Sequence, residues 1–315
     1  MIDHYGRNID YLRISVTDLC NLRCVYCMPE AGVRRLRHNE ILRVEEIEEI
    51  AIAAAALGIE KIRITGGEPL IRRSIVDIVR RVAAAPGIRE VALTTNAVLL
   101  PQFAAELKEA GLARVNVSID TLDPEKYREI TRGGEVEDVL RGIEAAIEAG
   151  LTPIKLNAVL MGGVNEDSIR PLIKMTEDAD FRVRFIEVMP IGECAGWNQE
   201  RFIGISRVLE EEPGLKLVGT DGVSKLYRKE GSVGSVGLIS PISSHFCPSC
   251  NKIRVTSDGK LKPCLHSAEE IPLKGLHGDE LTAALRKGIL DKPYKHHLES
   301  EDASNSARGM SAIGG

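Results

Sequence analysis

The feature that most constrains the fold is a regular alternation of short apolar runs with helix-length stretches, from residue 11 to about residue 188. Strand-like runs lie at 11–17, 61–65, 90–95, 114–119, 154–159 and 182–188. Helical ones lie at 44–57, 74–85, 101–110, 136–149 and 167–178. Gly58, Gly111 and Gly150 stand where helices should end, and Asn165 is placed to cap the fifth. Strands alternating with helices predict a parallel sheet with helices on one side. Six such units fall short of the eight that close a barrel. The expected architecture is therefore α/β, a partial (β/α)6 TIM-like barrel over residues 1–215. Beyond Trp197 the alternation breaks down. A helix at 205–211 is followed by short strands at 226–229, 236–239, 252–256 and 259–263, with Ser257-Asp258-Gly259-Lys260 as a hairpin turn. This predicts a small C-terminal α+β region over 216–315, ending from Glu299 in a Ser-rich tail that is mobile in isolation.

The strands say what such a barrel would hold. A packed interior would make them apolar on both faces. Several alternate instead. Leu12, Ile14 and Val16 interleave with Arg13, Ser15 and Thr17; Ile62 and Ile64 with Lys61, Arg63 and Thr65; Val115, Val117 and Ile119 with Asn116, Ser118 and Asp120. With period two, one face packs on helices and the other points into the lumen. The lumen is then polar, with Arg13, Arg63 and Lys155 among its cations, which predicts a polyanion-binding cavity.

Cys20, Cys24 and Cys27 are separated by three and then two residues in the loop after the first strand. Three thiolates can hold three corners of a [4Fe–4S] cube and leave one iron open. A zinc site would need a fourth ligand such as His, and His4 and His38 show no motif spacing. A second triad follows late: Cys247, Cys250 and, after thirteen intervening residues, Cys264. It could hold zinc with His245 or His266, or a second cluster beside Lys252 and Arg254; its spacing leaves both open.

CxxxCxxC with an aromatic before its last Cys resembles the radical S-adenosylmethionine (SAM) superfamily. There the open iron chelates SAM, and an electron from the cluster splits it to a 5′-deoxyadenosyl radical. Arg13 lies seven residues before Cys20, "RITGGEPL" spans 63–70, "FIEVMPIG" spans 185–192, and the chain ends "MSAIGG". With the second triad, these resemble the GTP 3′,8-cyclase family, which opens molybdenum-cofactor biosynthesis, over essentially the whole length. The resemblance implies two [4Fe–4S] clusters, on Cys20, Cys24 and Cys27 and on Cys247, Cys250 and Cys264, the second meeting the guanine of GTP. It implies SAM contacts from Tyr26, Gly67, Ser118 and Met189. GTP contacts would come from Arg13, Arg63, Thr94, Lys155, Lys252, Ile253 and Arg254. Catalytic roles fall to Arg13, Gly314 and Gly315, the Gly-Gly end reaching into the active-site cavity. The implied reaction removes hydrogen from C3′ of GTP and joins C3′ to C8, giving (8S)-3′,8-cyclo-7,8-dihydroguanosine 5′-triphosphate. Implied partners are cyclic pyranopterin monophosphate synthase downstream, a reductant such as flavodoxin or ferredoxin, and a second copy in a homodimer. Two positions depart from the family pattern. Ala97 stands where Gly usually follows Thr-Thr-Asn, and Lys252 stands for Arg, keeping the charge but losing the two-pronged donor.

With 315 residues the chain can bury a sizeable core. A net charge of −5 and a pI near 5.9 give no bulk attraction to nucleic acid or to an anionic membrane. No run of eighteen apolar residues is present and the N-terminus lacks a signal peptide's apolar region, so a soluble cytoplasmic protein is expected. In that reducing setting, the six clustered cysteines of the seven read as ligands rather than disulfides, with Cys194 a bystander. Two rivals are a radical SAM peptide-modifying enzyme with an auxiliary cluster and a non-catalytic metal-binding module for nucleic acid. The first would want more C-terminal cysteines and no cationic triphosphate cradle. Against the second stand the acidic pI and the single Trp.

Overall fold

The computed structural model describes residues 1–296, 298 and 304–314. Six strands, β1 (Tyr11–Ser15), β2 (Lys61–Thr65), β3 (Glu90–Thr95), β4 (Arg114–Ser118), β5 (Lys155–Leu160) and β6 (Arg182–Glu187), pair in parallel in that order. Helices α1 (Val44–Ala56), α2 (Ile75–Ala84), α3 (Leu100–Glu109), α4 (Pro124–Thr131), α5 (Val136–Glu148) and α6 (Ile169–Lys174) connect them. The core lies between sheet and helices, where Leu12, Ile14, Ile62, Ile64, Val115 and Val117 meet Ile47, Ile78, Leu107 and Ile143.

The sheet runs further than six units. After α7 (Ser206–Glu211), a hairpin of β7 (Leu215–Asp221) and β8 (Ser224–Lys229) leads into β9 (Ser235–Ile239), which pairs parallel to β6. At the other end β10 (Lys252–Val255) pairs parallel to β1, followed by antiparallel β11 (Lys260–Lys262) and β12 (Ile271–Pro272). The order β12-β11-β10-β1-β2-β3-β4-β5-β6-β9-β8-β7 leaves the barrel open. The long excursion between β6 and β9 hid this from the sequence, because pairing of β9 and β10 with the barrel is set by contacts distant along the chain. Helices α8 (Gly278–Leu290) and α9 (Met310–Ile313) complete the described elements.

Local readings differ in three places. Asn165 caps no helix with its side chain. Its Oδ1 instead accepts from Met161 N (2.9 Å) and its Nδ2 donates to the carbonyls of Asp120 (3.0 Å) and Val159 (2.9 Å), tying two strand ends together. The fifth expected helix is shortened to α6, entered through a 3₁₀ turn at Glu166–Ser168. Helix α4 was not anticipated, although Asp123 before Pro124 is a cap signal: Asp123 Oδ1 accepts from Lys126 N at 2.9 Å.

Register sets the lumen. One row runs Arg254, Arg13, Arg63, Ala92 and Arg114 across β10, β1, β2, β3 and β4. A second joins Thr94, Asn116, Lys155 and Arg182, and a third Ser118, Asn157, Arg184 and Gly237. Side chains alternate across a strand, so all of these share one face, opposite the apolar core.

Candidate active site

The loop after β1 is held by α4. Arg23 N and Val25 N donate to the carbonyls of Thr131 (3.0 Å) and Ile130 (2.9 Å). Arg132 Nη1 reaches back to the carbonyls of Arg23 (3.0 Å) and Met28 (2.9 Å). Within the loop, Cys27 N and Met28 N both donate to the Cys24 carbonyl, so the last two cysteines sit on one tight turn. Burial raises the Cys20 thiol to about 11 and the Cys27 thiol to about 12, and Cys24 well above its usual range; the proximity of the thiols to one another adds to the effect for Cys24 and Cys27. Buried thiols so raised give up their protons only to a shared positive centre. An iron–sulfur core supplies one and, with three protein ligands, leaves a corner open.

All three cysteines line a cavity of about 200 Å³ together with Tyr26, Gly67, Thr94, Ser118 and Met189. The structure thus brings the four residues expected to contact SAM to the first triad. Tyr26 OH donates to Asp120 Oδ2 at 2.9 Å, and burial lifts the Asp120 carboxyl to about 6. Glu68 accepts from Leu70 N, Thr95 Oγ1 and Asn96 N, and burial raises it to about 7. The glycines of this loop are demanded by the chain itself: a Cβ on Gly67 would lie 2.3 Å from the Leu19 carbonyl oxygen. Cys194 is no bystander in space. It lines the same cavity, and its Sγ donates to the Tyr26 carbonyl at 3.2 Å. Ala97 takes a left-handed φ of 64°, the conformation for which glycine is usual, so the turn geometry survives the departure in sequence.

The lumen cations are buried against one another. Burial lowers Arg13 and Arg63 to about 10, with Arg254 adding to the effect on Arg13. Burial also brings Lys155 and Lys252 to about 7. Tyr11 lies between Arg63 and Lys252, with Arg63 Cζ 5.3 Å and Lys252 Nζ 5.7 Å from its ring centroid. Arg13 Nε, Arg63 Nε, Thr94 Oγ1, Asn116 Nδ2 and Asn157 Oδ1 are buried without hydrogen-bond partners. Buried polar atoms are rarely left so, and this many on one face mark a place built for a polar ligand. Ile253 differs from its neighbours: its side chain lies in the apolar core, so only its backbone faces the strands on either side.

The second triad lies beyond this field. Burial alone would raise Cys250, but Lys292 and Lys252 outweigh it and lower the thiol. Cys250 and Cys264 both act on Arg254, and Cys250 on Arg13, so the cationic row stands next to these sulfurs. Lys292 Nζ braces the region by donating to the carbonyls of Lys252 (2.8 Å) and Pro263 (3.0 Å). Arg7 does the same for the carbonyls of Cys247 (3.1 Å), Lys292 (3.1 Å) and Pro293 (2.9 Å). His266 Nδ1 meets Ser304 Oγ at 3.1 Å, while His296 meets the Pro241 carbonyl through Nε2 at 3.0 Å and accepts from Leu298 N through Nδ1 at 3.3 Å. At the tail, Met310 and Ser311 line the first cavity and the Gly314 carbonyl accepts from Arg254 Nη1. Gly315 lies outside the described residues.

Sequence reasoning missed Arg184, Arg114 and Asp221. The first two were available from the same alternation that gave Arg13 and Arg63. Asp221 was not, because it reaches the lumen only when a hairpin folds over.

Residues 14–176 match the Radical SAM superfamily and residues 181–298 match Molybdenum Cofactor Synthesis C. Proteins named GTP 3′,8-cyclase from Alkaliphilus metalliredigens (51% identity), Alkaliphilus oremlandii (52%) and Moorella thermoacetica (47%) align over the full length of both chains. The fold is similar to Streptococcus suis SuiB bound to S-adenosylmethionine (TM-score 0.62, 16% identity, 97% of this chain and 77% of that one). It is also similar to anSMEcpe with bound AdoMet (TM-score 0.55, 16% identity, 86% and 80%). The open parallel sheet, the thiol triad at its mouth and these matches together place the chain in the radical SAM superfamily and, within it, in the GTP 3′,8-cyclase family.

Proposed function

We propose that this chain converts GTP to (8S)-3′,8-cyclo-7,8-dihydroguanosine 5′-triphosphate, as a radical SAM lyase at the first step of molybdenum-cofactor biosynthesis. The observation that carries this reading is the buried cationic row beside the second thiol triad, on the sheet face whose Thr94, Ser118 and Asn157 line the cavity of the first, in a chain about half identical to GTP 3′,8-cyclases throughout its length. SAM and two [4Fe–4S] clusters are its cofactors; when bound they supply the radical chemistry.

The protein's own share is binding, orientation and exclusion of water. Cys20, Cys24 and Cys27 would hold the first cluster and Cys247, Cys250 and Cys264 the second. Tyr26, Gly67, Ser118 and Met189 would line the SAM side of the cavity. Arg13, Arg63, Lys155, Lys252 and Arg254 would grip the triphosphate, and Thr94 and the Ile253 backbone would face the nucleoside. Anchoring the charged end at several points fixes the ribose in one pose, which turns a chance encounter into a near-unimolecular step. Arg13 is central because it sits between Arg63 and Arg254 in register. Gly314 would close the cavity from the tail.

Among the described residues no helix is long and apolar enough to cross a membrane. A cytoplasmic setting, a low-potential reductant such as flavodoxin or ferredoxin, a homodimer and hand-over of product to cyclic pyranopterin monophosphate synthase belong to the same reading. The test is GTP-dependent release of 5′-deoxyadenosine by anaerobically reconstituted enzyme. Equal release with ATP or with no nucleotide would contradict it.

A further inference from the structure

Arg13, Arg63, Lys252 and Arg254 form no ion pair among the described residues, yet Lys155 and Arg184 do, and with a residue from outside the barrel. Asp221 ends β7, the outermost strand, whose Leu217 and Val218 are 61% and 55% exposed. From this edge its carboxylate turns inward. Asp221 Oδ2 accepts from Lys155 Nζ, from Arg184 Nη2 at 2.8 Å and from Arg182 Nη1 at 3.5 Å. Three cations on two barrel strands thus share one oxygen, and Lys155 and Arg184 hold the carboxyl far below its ordinary range against the opposing effect of burial.

The barrel makes room for this contact. Gly237 on β9 pairs with Arg184, and a Cβ there would lie 2.4 Å from Ser224 Oγ and 3.0 Å from Arg184 Cγ. Its bare backbone lets the hairpin tip rest on the Arg184 stem. The seat is not fully satisfied. Ser224 Oγ is buried without a hydrogen-bond partner, and so is Arg184 Nε. The tip is therefore docked by charge but leaves polar atoms unpaired, as suits a contact that another anion can replace.

We propose that Asp221 is an internal stand-in for a substrate phosphate. With the site empty, its carboxylate neutralises Lys155 and Arg184 and holds the β7–β8 hairpin down. An incoming polyphosphate takes over those cations, repels the carboxylate and frees the hairpin tip. Asp221 thereby sets the affinity of the site and couples substrate entry to hairpin release. The inference rests on the polyphosphate part of the proposed function. The competing role, in which Asp221 stays in the complex and orients Lys155 and Arg184 for substrate, predicts the opposite sign for binding and for hydrogen exchange.

The test uses anaerobically reconstituted holoenzyme and two probes, GTP and inorganic tripolyphosphate. Asp221→Asn keeps the side chain's shape but removes its charge, and should bind both probes at least tenfold more tightly while its ligand-free form melts at lower temperature. Unchanged or weaker binding of both probes would overturn the proposal. Hydrogen exchange on the parent needs no variant. Backbone amides at 218–224 should exchange faster once tripolyphosphate is bound, whereas added protection of those amides would overturn the proposal. If the variant binds inorganic tripolyphosphate more tightly but GTP no better than the inorganic anion, the Asp221 exchange is supported and the guanosine reading is contradicted.

Discussion

Arg254 Nη1 donates to the carbonyl oxygen of Gly314 at 2.8 Å, so a lumen cation and the end of the tail are joined across 60 residues. Gly314 has a φ of 74°, and a Cβ on it would lie 2.2 Å from Thr65 Oγ1. Glycine is required there both by conformation and by space. Upstream, Arg308 fixes the tail with four hydrogen bonds of 2.6–2.9 Å to Glu270 and Asp258. From Arg308 to Gly314 the tail is thus docked into the barrel rather than left loose.

Gly314→Ala should therefore unseat the last turn and reduce GTP cyclisation at least tenfold, with cluster content unchanged. Little else depends on that residue, so the melting temperature should fall by no more than about 2–4 °C, the shift expected for ~1 kcal/mol in a domain somewhat smaller than this chain. Arg308→Ala should give the same loss of activity, together with rapid hydrogen exchange at 309–314. Normal activity in both variants would mean that the docked tail is incidental.

Arg63→Ala and Lys155→Ala should each weaken GTP more than SAM. Losing a hydrogen bond to a charged group costs about 1.5–3 kcal/mol, or roughly 10–150-fold in Kd. Calorimetry with GTP and with SAM on the same preparations separates the two; equal losses for both would place these cations elsewhere.

Replacing Cys20, Cys24 or Cys27 by Ala should abolish SAM cleavage with the loss of the first cluster. Replacing Cys250 or Cys264 should spare the first triad, so some uncoupled 5′-deoxyadenosine formation survives while cyclised product disappears. Iron and sulfide analysis of each variant checks this, and zinc bound at the second triad in anaerobic protein would contradict it.

Glu68 gives a pH signature. Its folded-state value of about 7 lies above the ordinary 4.5, so the folded protein holds this proton more firmly than the unfolded chain. The stability this contributes is fully present below about pH 4.5 and is lost as pH rises through 7. Across that window the parent without cofactors should lose melting temperature relative to Glu68→Gln, and level off above it. A parent-minus-variant difference that does not change with pH would refute the assignment.

Much of the site was legible because period-two alternation reports one face of a strand directly. Arg13, Arg63 and Lys155 all fell on the lumen face, and the boundaries of β2 and β3 match the expected runs. The first thiol triad could be read as a group because its three cysteines lie close together in the chain. Contacts across large separations were not. Arg7 reaches backbone carbonyls 240 to 287 residues away, and Asp221 meets Lys155 across 66 residues through a hairpin whose fold-over no local pattern encodes. Cys194 is carried into the cavity wall by a 3₁₀ turn after β6, a displacement that spacing from other cysteines does not reveal.

The most direct test of the central claim follows the hydrogen atom. Anaerobic enzyme with reductant, SAM and GTP deuterated at C3′ should give 5′-deoxyadenosine carrying one deuterium, while GTP deuterated at C2′ should give none. Unlabelled 5′-deoxyadenosine from the 3′-labelled substrate, or label arriving from C2′, would contradict the account.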